Sequence, residues 1–179
     1  KVMLIHDAGE GLLRIINDIL DLSKIEAGKY EINDYEYHLG TVILDVVNLF
    51  REKMKDSKVS LEYKTDVGIP TILYGDVVRV KQILINIIGN AVKFTKEGFI
   101  RLSVSFEPIT NEKGRLIFKI QDSGIGIKEE NIGKLFEEYN QIDAGKNRTA
   151  QGTGLGLTIC KRLCELMHGS IKVESVYGE

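Results

Sequence analysis

Asp76-Val77-Val78-Arg79-Val80-Lys81-Gln82-Ile83-Leu84-Ile85-Asn86-Ile87-Ile88-Gly89-Asn90-Ala91-Val92-Lys93-Phe94 is the stretch on which the reading of this chain turns. Asp76 suits an N-cap, and the periodicity that follows predicts a helix to about Phe94. Val80, Ile83, Leu84, Ile87, Ile88 and Ala91 form its apolar stripe. A second stripe is polar: Arg79, Gln82, Asn86, Asn90 and Lys93 lie three or four residues apart, near one line on the helix surface. A solvated face is the plain explanation for such a line. Two features weigh against it. Asparagine is a poor interior helix former because its side chain competes for backbone hydrogen bonds. Solvated faces are usually filled with Glu and Lys instead. Two asparagines one turn apart, followed by a lysine, supply neutral oxygens and a cation. Those suit a phosphate–magnesium cluster, since Mg²⁺ takes hard oxygen ligands and keeps several waters.

Outward from this helix, the pattern alternates between helix and strand. Residues 1–29 repeat Ile5, Leu12 and Ile19 every seven, with Ala8, Ile15 and Leu22 in a second row. Leu13, Ile16 and Leu20 widen the stripe to one that suits a helical bundle, so a partner helix is implied. Gly28 ends the run. Residues 30–39 carry three tyrosines and read as a connector with some strand character. Residues 41–57 read as a helix. Val59, Leu61 and Tyr63 alternate with polar residues as a half-buried strand, and Pro70 and Gly75 punctuate a turn. Ile100, Leu102, Val104 and Phe106 alternate as one strand, and Leu116, Phe118 and Ile120 as the next. Asn111 to Gly114 is the turn between them. Residues 154–168 read as a helix, and Ile171 and Val173 begin a last strand. Two adjacent strands joined by a turn argue against pure βαβ winding. The fold class is α+β, with helices layered on one face of a mixed sheet.

Composition bounds what such a fold does. Across 179 residues, 43% are apolar and 28% charged, a globular balance that excludes a mainly disordered chain. The 24 basic and 26 acidic residues leave a charge of −2, without the basic field that phosphate neutralisation by a nucleic-acid binder requires. No apolar run approaches the roughly 18–20 residues of a bilayer span. The chain opens mid-pattern without a Met, as a piece of a longer protein would. Cys160 and Cys164 sit four apart in a helical pattern among leucines and isoleucines. Two ligands do not complete a tetrahedral zinc site, and they read as small apolar residues of a reducing, cytosolic compartment. His6, His38 and His168 share no catalytic spacing, and His168 reads as a residue near a helix C-terminus.

Two glycine-rich stretches add to the polar stripe. In Asp122-Ser123-Gly124-Ile125-Gly126-Ile127, Asp122 has the parity of Leu116, Phe118 and Ile120, which points it to the buried side of its strand. A buried carboxylate needs a donor, no basic residue lies nearby in sequence, and a ligand amino group could supply one. Gly124 and Gly126 permit unusual backbone angles and close ligand approach, although a plain turn would use them too. Gly152-Thr153-Gly154-Leu155-Gly156-Leu157 opens the cysteine-bearing helix, where backbone amides bind phosphate. It is neither a Walker A sequence nor a dinucleotide fingerprint. The loop 138–151, with Gly145, Lys146 and Arg148, reads as a mobile lid. Eight of the 18 glycines fall between 114 and 156, so the flexible backbone gathers around one site.

The order of these signals carries a resemblance. Ile83 to Thr95 resembles the asparagine box of sensor histidine kinases, Asp122 to Gly126 their first glycine box, Leu135-Phe136-Glu137 their phenylalanine box, and Gly152 to Leu157 their second glycine box. Residues 17–29 resemble the end of the second dimerisation helix of hybrid kinases. The resemblance implies that residues 1–32 are part of the dimerisation and histidine-phosphotransfer domain. Residues 33–179 would be the ATP-binding catalytic domain, a two-layer sandwich of the Bergerat type. It implies ATP and Mg²⁺ as ligands. Asn90 would coordinate the metal, with Asn86 beside it on metal or phosphate, and Lys93 would contact phosphate. Asp122 would accept a hydrogen bond from the adenine amino group, with Gly124 and Gly126 lining the pocket. Gly152, Thr153, Gly154, Leu155 and Gly156 would shape the lid hinge and meet the phosphates, and Arg148 would reach the γ-phosphate. Phe94 and Phe136 read as packing residues rather than base-stacking ones.

The implied partners are the dimerisation helix of a second protomer and the receiver domain of a response regulator, with no nucleic acid and no membrane contact by these residues. The implied location is cytoplasmic, including the cytosolic portion of a membrane-anchored kinase. The family's phosphoacceptor motif is absent: His6 is followed by Asp7-Ala8-Gly9, so it is not assigned as acceptor. The first dimerisation helix is also absent, and the chain stops at Tyr177-Gly178-Glu179, where the family adds a final strand. Two other readings stay open. One is a degenerate nucleotide-binding regulatory module, against which the intact boxes argue. The other is a gyrase-, mismatch-repair- or chaperone-type ATPase of the same fold. Those use a glutamate to activate water one turn before the metal-binding asparagine, and here that position is Asn86.

Overall fold

A computed structural model describes residues 2–138 and 154–178, and along the first helix the side chains of residues 9, 11–13 and 15 onward. The chain divides into two units, residues 33–128 with 175–179, and residues 1–32 with 129–174.

The first unit holds β1 (Tyr35–His38), α2 (Leu39–Lys53), β2 (Lys58–Thr65), β3 (Ile72–Gly75), α3 (Val77–Phe94), β4 (Glu97–Pro108) and β5 (Gly114–Asp122). β2 pairs in parallel with β4, and β4 pairs antiparallel with β5, so this sheet is mixed. Ile100, Leu102 and Val104 of β4 point to one face and are buried. α2 and α3 pack on the sheet, with α2 contributing Val42, Ile43, Val46, Val47 and Phe50 and α3 contributing Leu84, Ile88 and Ala91. A Cβ on Gly89 would stand 3.8 Å from the Phe50 ring, so a small residue sits where these two helices meet. The other parity of the sheet is charged. Arg101 pairs with Glu62 directly across β2–β4 at 3.0 Å, and Arg115 pairs with Glu107 across β4–β5 at 3.5 Å. Helices on one face and water on the other follow from that period-two alternation.

β1 and β3 form a separate two-stranded antiparallel sheet, with Tyr35 opposite Gly75 and His38 opposite Ile72. The strand character expected of 30–39 is therefore real, but the turn expected around Pro70 and Gly75 contains a strand. Four residues are too few to show a period, and the partner lies more than thirty residues upstream. α2 begins at Leu39 and ends at Lys53, slightly ahead of the expected 41–57.

The second unit holds α1 (Val2–Glu26), the short α4 (Glu129–Ile132) and α5 (Gly156–Leu166), with α1 in contact with α5. α1 stops as Gly28 predicts. Gly28 takes a φ of +64°, its N–H donates to Ile25 O, and Lys29 N–H donates to Lys24 O. These are the two bonds of a Schellman cap. α5 ends in the same geometry at His168, with φ +58° and bonds from His168 N to Glu165 O and Gly169 N to Cys164 O. Cys160 is fully buried and Cys164 half-buried on α5, as apolar filling residues are. Leu22 is buried, whereas Leu12, Leu13, Ile16 and Leu20 of α1 stay exposed.

The last strand expected at Ile171 and Val173 is not formed. Exposure does alternate from Ile171 to Val176 as the sequence implies. Alternation specifies a face, but a strand also needs a ladder of backbone bonds to a neighbour, and among the described residues none runs along this segment. No helix among the described residues is long and apolar enough to cross a membrane.

Candidate functional site

α3 is fixed at its start by Asp76, which is 3% exposed. Its Oδ1 accepts from Val78 N and Arg79 N, both at 3.1 Å, as an N-cap does. Its Oδ2 accepts from Asn33 N at 3.0 Å, tying the entry of this unit to the helix. The polar stripe divides in two. Arg79 donates to Gln82 Oε1 at 2.9 Å, a bond within the first turn. Asn86 and Asn90 are half-buried, and among the described residues neither side chain has a hydrogen-bond partner. They stand about 6 Å apart along the axis at 1.5 Å per residue. Lys93 is exposed one turn further on, with its Nζ 5.0 Å from the Phe94 ring centroid.

α3 ends at Thr95, whose N–H donates to Ala91 O. Thr95 is buried, and its hydroxyl donates to Asp122 Oδ1 at 3.4 Å. Asp122 sits opposite the buried Ile100 in register, on the face that parity assigns. Its expected burial is wrong: Asp122 is exposed. Parity sets the face, but burial depends on what covers it, and Asp122 is the last residue of its strand. The expected lack of a protein donor is also corrected. Gly124 N donates to Oδ1 at 2.9 Å, so both contacts fall on one oxygen.

The loop after Asp122 leaves no room for side chains at its glycines. A Cβ on Gly124 would stand 2.7 Å from Asp122 Oδ1, 2.9 Å from Phe94 O and 3.1 Å from Thr95 Oγ1. Gly126 has a φ of +69°, and a Cβ there would collide with the Val176 carbonyl. Ser123 locks the loop to β4, its Oγ accepting from Phe99 N at 2.9 Å. Gly178 N donates to Ile125 O, and Ile127 N to Ser175 Oγ. An open cleft of about 440 Å³ lies beside this loop, lined by Phe94, Lys96, Glu97, Ser123, Gly124 and Tyr177 among others. Asn86 and Asn90 do not line it.

In the other unit, Gly154 takes a φ of +74°, Leu155 is buried and Gly156 opens α5. Thr158 Oγ1 donates to Phe136 O at 3.1 Å, so the phenylalanine segment is fastened to the first turns of that helix. Arg148, Gly152, Thr153 and the expected lid, apart from its first residue, lie outside the described residues. The structure thus joins the C-terminal end of α3 to Asp122, Gly124 and Gly126 in one unit and sets Gly154 to Gly156 in the other. The residues that sequence reasoning passed over are Thr95 and Ser123, the clamps of the aspartate loop. Neither carries a local signal, because the burial of Thr95 and the partners of both depend on the fold.

Known proteins resemble this arrangement. The family profile described as histidine kinase-, DNA gyrase B- and HSP90-like ATPase matches residues 75–179. The hybrid signal transduction histidine kinase B of Dictyostelium discoideum is 43% identical over 171 residues, which are 96% of this chain and 9% of that protein. This chain therefore spans about a tenth of that relative's length. Full-length ShkA in complex with AMPPNP superposes with a TM-score of 0.83 at 29% identity, over 99% of this chain and 36% of that one. The histidine kinase ThkA in complex with the response regulator TrrA gives a TM-score of 0.64 at 28% identity, over 93% and 43%.

Proposed function

This chain belongs to the histidine kinase-, DNA gyrase B- and HSP90-like ATPase family, and we propose that it serves to deliver the γ-phosphoryl group of Mg-ATP to a histidine. Within that family it is an ATP-binding catalytic module of the sensor histidine kinase type. The observation that carries the reading is the pair Asn86 and Asn90, half-buried amides one turn apart without a hydrogen-bond partner among the described residues. Their carbonyl oxygens fit Mg²⁺, which one or two protein oxygens and substrate phosphates hold together. When bound, the metal neutralises charge on the phosphates.

Asn90 is the metal ligand and Asn86 its neighbour on metal or phosphate. Lys93 gives a point charge to phosphate. Asp122 turns Oδ2 toward the adenine amino group, because Oδ1 already accepts twice. Gly124 and Gly126 let the base approach the loop. Gly152, Thr153, Gly154, Leu155 and Gly156 meet the phosphates at the start of α5, and Arg148 reaches the γ-phosphate. Catalysis of this kind rests on positioning and charge stabilisation. Asn86 favours transfer over hydrolysis, since an amide cannot take a proton from water. Residues 1–32 form part of a dimerisation domain, and residues 33–179 the catalytic domain. The exposed stripe of α1 meets the dimerisation helix of a second protomer, and the acceptor is a histidine outside these residues. A response-regulator receiver domain takes the phosphate onward, in the cytoplasm.

The test is calorimetry of AMPPNP binding with Mg²⁺ and then with chelator, on the wild type and Asn90→Ala. Magnesium should tighten wild-type binding, and Asn90→Ala should lose that dependence while melting as before. Equal magnesium dependence in the variant removes the metal assignment. With ATP in place of AMPPNP, a separately supplied helical hairpin bearing an acceptor histidine should become phosphorylated on nitrogen, with ADP released. Release of free phosphate alone would favour an ATPase instead.

A further inference from the structure

We propose that Thr95 is a positioning residue that aims the Asp122 carboxylate and so sets the preference for a 6-amino purine, an inference that rests on the nucleotide reading above. Three observations lead there. Thr95 is 4% exposed, and Asp122 Oδ1 is its hydroxyl's acceptor at 3.4 Å. Gly124 N donates to the same oxygen at 2.9 Å. A Cβ on Gly124 would intrude on Asp122 Oδ1, Phe94 O and Thr95 Oγ1 together, so the three groups share one crowded point.

Two donors on Oδ1 define the carboxylate's rotation about its last bond. They leave Oδ2 as the acceptor offered to a ligand. A hydroxyl bond of 3.4 Å is slack against the usual 2.5–3.0 Å range. Contacts of this kind tighten when a ligand occupies the site. Gly124 alone fixes one direction from the loop, and Thr95 fixes the other from the helix. The same threonine closes α3 through its backbone bond to Ala91. The group that reads the base therefore hangs from the helix that carries Asn86 and Asn90.

The test compares ADP with IDP, which presents a carbonyl where ADP presents an amine, by calorimetry on the whole chain. Thr95→Val keeps the shape, the β-branched backbone preference and the N–H bond to Ala91, and removes only the hydroxyl. It should weaken ADP about fivefold, the worth of one hydrogen bond, leave IDP unchanged and so erode the preference. Thr95→Ser should restore it. Equal weakening of both nucleotides would mean that Thr95 only holds the fold together, and an unchanged ratio would mean that Asp122 aims itself. Either result overturns the proposal, with Thr95→Ala supplying the same comparison if Thr95→Val does not fold. A wild type that binds both nucleotides equally, or neither, refutes the nucleotide reading and this inference with it. A wild type that prefers ADP, with a variant that prefers it as strongly, refutes Thr95 alone.

Discussion

Replacing Asp76 with alanine should loosen the helix on which the whole site depends. The carboxylate is 3% exposed and serves three backbone donors: Val78 N and Arg79 N on one oxygen, Asn33 N on the other. Losing an N-cap side chain costs about 1 kcal/mol. The Asn33 bond is a separate loss, because a part-buried N–H is left without its charged acceptor, at about 1–2 kcal/mol. The Arg79 guanidinium lies 4.0 Å from Oδ2 and is partly exposed, so it adds little. The total is about 2–3 kcal/mol. At roughly 2–4 °C per kcal/mol for a chain of this size, melting followed by far-ultraviolet circular dichroism should fall by about 4–12 °C. Asp76→Asn separates the parts. Its side-chain oxygen can still cap the helix, but an amide NH₂ then faces the Asn33 N–H, so it should lose about half as much. A cost below about 0.5 kcal/mol for Asp76→Ala, or equal costs for the two variants, would refute the reasoning that Asp76 joins two elements rather than capping one.

Further expectations follow from the same geometry. Asp122→Asn should keep the two donors on Oδ1 and place an NH₂ where Oδ2 stood; ADP should weaken roughly tenfold or more and IDP should gain, and calorimetry showing equal losses would exclude base reading by this residue. His168→Gly should raise stability by about 0.5–1 kcal/mol, because relief of a left-handed backbone exceeds the added freedom of the unfolded chain; a drop in urea midpoint would contradict this. Burial, helped by Glu165, pushes the Cys164 thiol up from its ordinary value. Less thiolate is then present near pH 7.5, so Cys164 should alkylate more slowly than an unstructured cysteine and speed up as pH rises. Alkylation at the unstructured rate would show that the site opens freely.

The parts legible in the sequence are those that one local period decides. α3 begins after Asp76 and ends at Phe94 as its cap and stripe require. The β4–β5 hairpin shows in two alternating runs around Asn111 to Gly114. What escaped is non-local. Ile72–Gly75 becomes a strand only because β1 lies beside it. The parallel pairing of Val59 with Gly98 is nowhere written in either segment. Asp122 shows the difference within one residue: its face follows from parity and its Gly124 donor is local, while its Thr95 donor depends on where α3 stops. The residues of the candidate site stood out because their types are odd for their places, asparagines in a helix interior and glycines clustered after a strand. Thr95 did not, because a threonine after a helix is ordinary until its acceptor is known.

α3 is held by a carboxylate at each end, and the two are used in opposite ways. Asp76 is buried and spends both oxygens on the protein, so it can only be structural. Asp122 is exposed and spends one, so it has an oxygen to give. Between them the helix presents an arginine, three amides and a lysine but no acid on its polar line. A carboxylate at position 86 could accept a proton from an attacking water, and it would also repel any phosphate brought near Lys93. The amide does neither. Under the proposed function it would leave the nucleotide held but not hydrolysed, as transfer to a histidine requires. Under that function the division of labour follows from the same choice: these residues would position the phosphoryl group, and the segment bearing the acceptor histidine, on this protomer or another, would supply the nucleophile and the base that activates it.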